Sequence, residues 1–247
     1  MSTTNSKPDS PTHVADSNIA PKSGGDVVAY VAPFIVYVLL TSVESKGWLG
    51  LGYEAWYSLK AVAVAGTLLW YRRAYPSFST RGLPLGVAAG VVGIVVWLVL
   101  ARMQELIPGL NDWIASFLGS RSEYNPFDKE GATAAQIGFV AVRLIGLAVI
   151  VPVMEEMLWR GLLARYLINS DDFSAVPQGT FTASSFAIVT AAFVAVHPEL
   201  LAATAWGILI NLLYRRTQNV WACVAMHAVT NALLGGWILA TGAWKLW

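Results

Sequence analysis

Seven apolar runs leave this chain few ways to fold. They lie at about 27–43, 53–71, 83–101, 136–153, 182–197, 200–214 and 219–241. The longer ones reach the roughly 20 residues that a helix needs to cross hydrocarbon. With no water at that depth, a helix keeps its backbone donors and acceptors paired within itself. Only 13% of the 247 residues are charged, where a soluble domain carries about 25%. Eleven tryptophans and nine tyrosines suit the aromatic belts at a membrane's two interfaces. The expected fold is all-α, a polytopic membrane helix bundle of about seven or eight transmembrane helices. Such a chain is multi-pass in the plasma (inner) membrane, with the lipid bilayer as its first partner. A net charge of +1 gives nucleic acid nothing to bind.

Residues 1–26, MSTTNSKPDSPTHVADSNIAPKSGGD, break with this pattern. They bury too little apolar surface to fold and read as a disordered polar tail. They lack the layout of a signal peptide, and His13 within them is a solvated histidine. Residues 27–247 form one helical membrane domain without internal repeats. The single cysteine, Cys223, excludes an internal disulfide and a Cys-rich metal site. It reads as a small buried apolar residue.

Basic residues set the expected orientation. Arg72, Arg73 and Arg81, then Arg160 and Arg165, then Arg215 and Arg216 fall on one side by simple alternation, taken as cytoplasmic. The N-terminus is then inside and the C-terminus outside. Segment 102–135 is an outer loop with an interfacial helix at LNDWIASFL. Alternation also puts Glu155 toward the cytoplasmic end of its span and His197 toward the outer end of its own. For the two to act together, one helix must be long, tilted or broken, and Pro152 and Pro198 are the candidate breaks.

The adjacent carboxylates Glu155 and Glu156 lie inside AQIGFVAVRLIGLAVIVPVMEEMLWRGLLARYLI. A charge at bilayer depth costs roughly 3 kcal/mol on insertion scales, so it persists when paired or used. Two of the three histidines also lie in apolar runs, His197 in AAFVAVHPELL and His227 in WACVAMHAVTNALL, with Asn231 four residues after the second. Residues at i and i+4 share a helix face. Glu156 and Arg160 form such a pair, as do Phe193 and His197, and His227 and Asn231. Glu155 lies about 100° around the helix from Glu156, so both cannot face Arg160. The expected division is that Glu156 pairs with Arg160 while Glu155 faces a cavity with the histidines. Glu155 and His197 would hold and deprotonate a water. His227 and Asn231 would donate to a developing oxyanion. Arg143 reads as snorkelling or internally paired, without a catalytic role, and Glu199 as interfacial.

EEMLWR, FVAVH and HAVTN resemble the EExxxR, FxxxH and HxxxN signatures of the CPBP family, which includes CAAX prenyl proteases of the Ras-converting type and bacteriocin-processing proteins. The resemblance covers roughly 135–241, with the motifs in family order. Trp159 stands where many relatives have Phe. The resemblance implies an intramembrane glutamate-type endopeptidase with Glu155, His197, His227 and Asn231 as catalytic residues. Glu156 and Arg160 support them, and no metal or other cofactor is needed. The chain is also similar to CAAX-protease-related proteins associated with exosortase and PEP-CTERM sorting. Where protein prenylation is lacking, the implied partner is a peptide or protein C-terminus presented at the membrane, such as a substrate of a surface-sorting system. Two alternatives stand beside this. His197, His227 and a glutamate are acceptable zinc ligands for a membrane metalloprotease, although no HExxH helix is present. Intramembrane ionisable groups also serve non-enzymatic immunity, scaffold or transport proteins.

Overall fold

The computed structural model describes residues 25–44, 50–118, 123–127 and 133–247. Regular structure among them is entirely helical. In chain order the helices are α1 (Gly25–Glu44), α2 (Tyr53–Trp70), α3 (Leu83–Glu105), α4 (Leu110–Leu118), α5 (Ala134–Tyr166), α6 (Ala183–Val194), α7 (Leu200–Thr217) and α8 (Val220–Thr241). Short 3₁₀ turns accompany them at Phe173–Ala175 and Trp244–Leu246. The expected tail at 1–26 lies outside the described residues up to residue 24, and Gly25 already opens α1.

Four helices are long and apolar enough to cross a membrane: α1 from Val27, α3, α5 and α8. Helices α2 and α7 have 18 residues each but are less apolar. Helix α6 has only 12 residues, about 18 Å at 1.5 Å per residue, too short for a core of about 30 Å. The run at 182–197 is therefore not one continuous spanning helix. It ends at Val194, and His197 and Pro198 lie in the turn to α7. LNDWIASFL does form its own helix, α4. Glu199 is buried.

Local sequence sets the helix ends. Thr133 caps α5 by a reciprocal capping box with Gln136. Thr182 caps α6 through the amide of Ser185, and Asn219 caps α8 through that of Trp221. Helix α8 stops at Gly242, whose φ of 71° suits glycine. Helices α3 and α8 approach closely because α3 presents glycines to its neighbour. A Cβ on Gly86 would lie 2.3 Å from the Ala222 carbonyl oxygen, and one on Gly90 2.7 Å from that of Met226. Small residues at four-residue spacing let helix backbones meet where hydrocarbon surrounds them.

Arg81, Arg165 and the last turn of α7, with Arg215 and Arg216, lie at one end of the bundle. There Arg81 donates to Gln218 at 3.2 Å, and Asn219 donates to the carbonyls of Ser79 and Arg81 at 3.0 and 2.7 Å. Arg165 donates to the carbonyls of Ser174 and Val176. At the opposite end Glu105 meets Lys245. Beside it, Gln104 donates to the Pro198 carbonyl at 2.9 Å and accepts from the Leu201 amide at 3.1 Å.

This layout answers the question of depth. Helix α6 starts at the basic end, and α5 finishes there. Val194 is 11 residues past Ala183, about 16 Å along, and Glu155 is 11 residues before Tyr166, also about 16 Å. Helix α6 thus ends near the level of Glu155, and the turn after it carries His197 and Pro198 on toward Gln104.

Candidate active site

One cavity of about 390 Å³ takes its wall from α1, α2, α3, α5, α7, α8 and the α6–α7 turn. Glu155, His197, His227 and Asn231 all line it. Glu156 and Arg160 stand behind this wall, both 0% exposed. Glu155 is half-buried. The two glutamates thus occupy different environments, as their 100° separation demands.

Helix α5 carries most of the polar machinery and is irregular around it. Two stretches, Gly146–Ile150 and Met157–Leu163, are wound as π-helix on either side of the glutamates. Such turns are frequent at functional sites. In the first, the Val151 amide donates to Gly146, five residues back. In that register the Leu147 carbonyl would accept from residue 152, but Pro152 has no N–H. The orphaned carbonyl accepts from Asn231 Nδ2 at 2.9 Å instead. Pro152 is therefore not a break. It makes the socket that holds Asn231, whose second amide N–H remains for a ligand.

Glu156 is the hub of a buried chain. Both its oxygens accept from Arg160 Nη1 at 3.1 Å, and Oε1 also lies 2.9 Å from His227 Nδ1. Arg160 Nε donates to Asn211 Oδ1 at 3.1 Å, and Asn211 Nδ2 donates to Thr190 Oγ1 at 2.9 Å. The sequence spacing pairs Glu156 with Arg160, and the fold adds His227. A carboxylate is an acceptor, so His227 Nδ1 carries the proton and Nε2 is turned to the cavity. His227 can donate to an oxyanion there only with a proton on both nitrogens. Glu156 then supplies the counter-charge on the far side of the ring.

His197 is held by different means. Its Nδ1 lies 2.7 Å from the Phe193 carbonyl oxygen, which only accepts, so this nitrogen too is protonated and Nε2 bears the lone pair. The ring packs on Phe193 at 4.1 Å between centroids. Phe193 stacks on Trp206 at 5.1 Å, and Trp206 meets the edge of His227 at 4.9 Å. One aromatic column therefore braces both histidines. Thr230 Oγ1 anchors it, accepting from the Trp206 indole at 3.2 Å and donating to the Gly90 carbonyl at 3.1 Å. Glu155 and His197 line the same cavity. Glu155 Oε2 also accepts from the indole N–H of Trp159 at 3.4 Å.

Sequence reasoning missed several of these residues. Trp206 and Thr230 look like ordinary apolar-helix residues and reveal themselves only through the fold. Trp159 was legible as the i+4 partner of Glu155. Arg143 departs furthest from expectation. It neither snorkels nor pairs: it is 7% exposed and lines the cavity, and no carboxylate among the described residues bridges to it. Cys223 is buried and free. Among the described residues no three His, Cys, Asp or Glu side chains group closely enough to hold a metal ion.

Residues 137–233 match the family model described as type II CAAX prenyl endopeptidase Rce1-like. The matched segment contains all three motifs, so the CPBP resemblance holds over it. That family is one of CAAX endopeptidases, and with four helices able to cross a membrane the chain is a membrane protein. No curated protein and no solved structure matches the chain.

Proposed function

We propose that this Rce1-like chain is an intramembrane endopeptidase that hydrolyses a peptide bond with a water activated by Glu155 and His197. The observation that carries the reading is the convergence of Glu155, His197, His227 and Asn231 on one cavity from three separate parts of the chain. Glu155 is the reachable carboxylate, and His197 offers an Nε2 lone pair to the same cavity. A water between them loses a proton as it attacks the scissile carbonyl, and the protonated base then delivers that proton to the leaving amine. The carbonyl oxygen, gaining negative charge, meets Nε2–H of doubly protonated His227 and the free N–H of Asn231. Glu156 and Arg160 touch no substrate and hold His227 in place.

In this reading α2 also crosses the bilayer, because its buried Lys60 is neutralised by Glu44 at 2.9 Å. Helices α6 and α7 form a hairpin entering from the basic, cytoplasmic end, with the His197 turn at its tip. The bundle is multi-pass in the plasma membrane, with the N-terminus inside and the C-terminus outside. The substrate is a peptide or protein C-terminus presented in that membrane, and catalysis needs no metal.

The test compares new protein N-termini in membranes carrying the wild-type chain or Glu155→Gln at equal protein level. We expect cleavages that depend on the wild type and fall at least about 100-fold in the variant. The same cleavages in both would remove Glu155 as the base. They should also persist in chelator. Loss in chelator that zinc alone restores would replace this mechanism with the zinc metalloprotease built on His197, His227 and a glutamate.

A further inference from the structure

We infer that Arg143 is the anchor for the free C-terminal carboxylate of the peptide substrate, a role that rests on reading the cavity as the peptide-hydrolysing site. Arginine stays charged in any protein environment, and a buried charge is costly unless paired and hydrogen-bonded. Glu156, Arg160 and Lys60 satisfy that rule within the chain. Among the described residues Arg143 does not. Its Nη1 is buried without a hydrogen-bond partner. Its guanidinium lies instead over three aromatic rings, 5.3 Å from Tyr53, 5.0 Å from Tyr57 and 4.8 Å from Trp247. The carboxylate whose field reaches it, Glu44, is committed to Lys60.

An aromatic cage fixes a guanidinium by cation–π attraction and leaves its planar edge of donors unused. That edge matches a carboxylate, which accepts two parallel N–H bonds. Because Arg143 lines the same cavity as Glu155, the anion it awaits belongs to whatever fills that cavity. Twelve residues of one helix separate the two side chains, about 18 Å, and both lean toward the helix N-terminus, which preserves that spacing. An extended peptide covers about 3.3 Å per residue. A carboxylate held at Arg143 therefore sets the scissile bond roughly five residues from the substrate's C-terminus.

Binding and hydrolysis separate the two claims. The probe is an equimolar pool of N-acetylated decapeptides randomised over Ala, Val, Leu, Phe and Ser. It is made with free carboxylates, as C-terminal amides, and as amides carrying Asp at the last position. The full-length Glu155→Gln chain in detergent is challenged with each pool, and retained peptides are measured by mass spectrometry. We expect at least tenfold greater retention of the free-carboxylate pool than of either amide pool. Adding Arg143→Gln should bring the ratio to within twofold of unity, with Arg143→Lys between. Equal retention of acids and amides by Glu155→Gln, including none, overturns the inference without any Arg143 variant. So does retention of the Asp amides as strongly as the acids, or discrimination that survives Arg143→Gln. If discrimination holds but the wild type cleaves nothing, the anchor stands and the endopeptidase reading falls.

Discussion

Neutralising one glutamate of the adjacent pair should destabilise the fold, and neutralising the other should not. Glu156→Gln removes the negative charge that faces Arg160 from two oxygens at 3.1 Å, in a place where neither side chain is exposed. Arg160 keeps Asn211 as an acceptor, but its Nη2 already lacks a partner. The substituted amide has one oxygen to share between Arg160 and His227. Removing one member of a buried ion pair costs about 3–5 kcal/mol, because the survivor stays charged and uncompensated. Glu155→Gln loses no ion pair. Its side chain is half-buried, and its oxygen still accepts from Trp159, so the expected change is under about 1 kcal/mol. The two isosteric substitutions should therefore differ by about 2–5 kcal/mol, where each 1.4 kcal/mol is tenfold in the unfolding equilibrium.

The assay is reversible unfolding of the full chain in mixed micelles, followed by tryptophan fluorescence. A third variant closes the argument. Glu156→Gln with Arg160→Met removes both charges, and the pair should be less destabilised than the sum of its parts by about 0.5–3 kcal/mol. Glu156→Gln within about 1 kcal/mol of wild type, or strict additivity in the double variant, refutes the claim that this buried chain organises the bundle. Activity alone cannot decide the matter, since both single variants should lose it.

Three further outcomes follow from particular contacts. Trp159→Phe keeps a ring against Phe34 and Phe193 but deletes the N–H that Glu155 accepts; turnover should fall about two- to tenfold, the worth of one hydrogen bond, with a small loss of stability from the smaller buried ring. Gly90→Val drives a side chain into Met226 and Val229 on α8, and should cost about 1–3 kcal/mol by overpacking, measured in the same micelles. Gln104→Leu strips the Leu201 amide and the Pro198 carbonyl of their partner; amide exchange should accelerate by at least tenfold across Val196–Leu201, and turnover should drop as His197 loosens.

The parts of this architecture legible in the sequence are those governed by local periodicity. The boundaries of α1, α2, α3, α7 and α8 follow apolar runs and their caps, whereas α5 continues to Tyr166, past its run at 136–153. The Glu156–Arg160 bond follows from i+4 spacing alone. LNDWIASFL announces α4 by its alternation of apolar and polar faces. The run at 182–197 misleads because composition cannot tell a helix from an apolar turn: Phe193 to Val196 stays hydrophobic while the helix ends at Val194. The Glu156–His227 bond joins positions 71 apart, and no local pattern encodes it. Gly82, Gly86 and Gly90 do carry a readable signal, small residues at four-residue spacing, which foretells the close packing of α3 on a neighbour without saying which one.

Arg143 was hidden for a more specific reason. Twelve residues along a regular α-helix turn a side chain by three full circles and about 120° more. A regular α5 would therefore place Arg143 on a different face from Glu155, and a helical-wheel reading sends it to lipid or to another helix. The π turn at Gly146–Ile150 holds one extra residue, which winds the following chain back by about 100°. Arg143, Leu147, Val151 and Glu155, spaced by four, consequently line one cavity. The same irregularity orphans the Leu147 carbonyl over Pro152 and gives Asn231 its anchor. A single inserted residue thus aligns the cage of Arg143 with Glu155 and fixes Asn231 from α8. It does so at a place where an apolar run of Gly, Leu, Ala, Val and Ile looks like ordinary spanning helix.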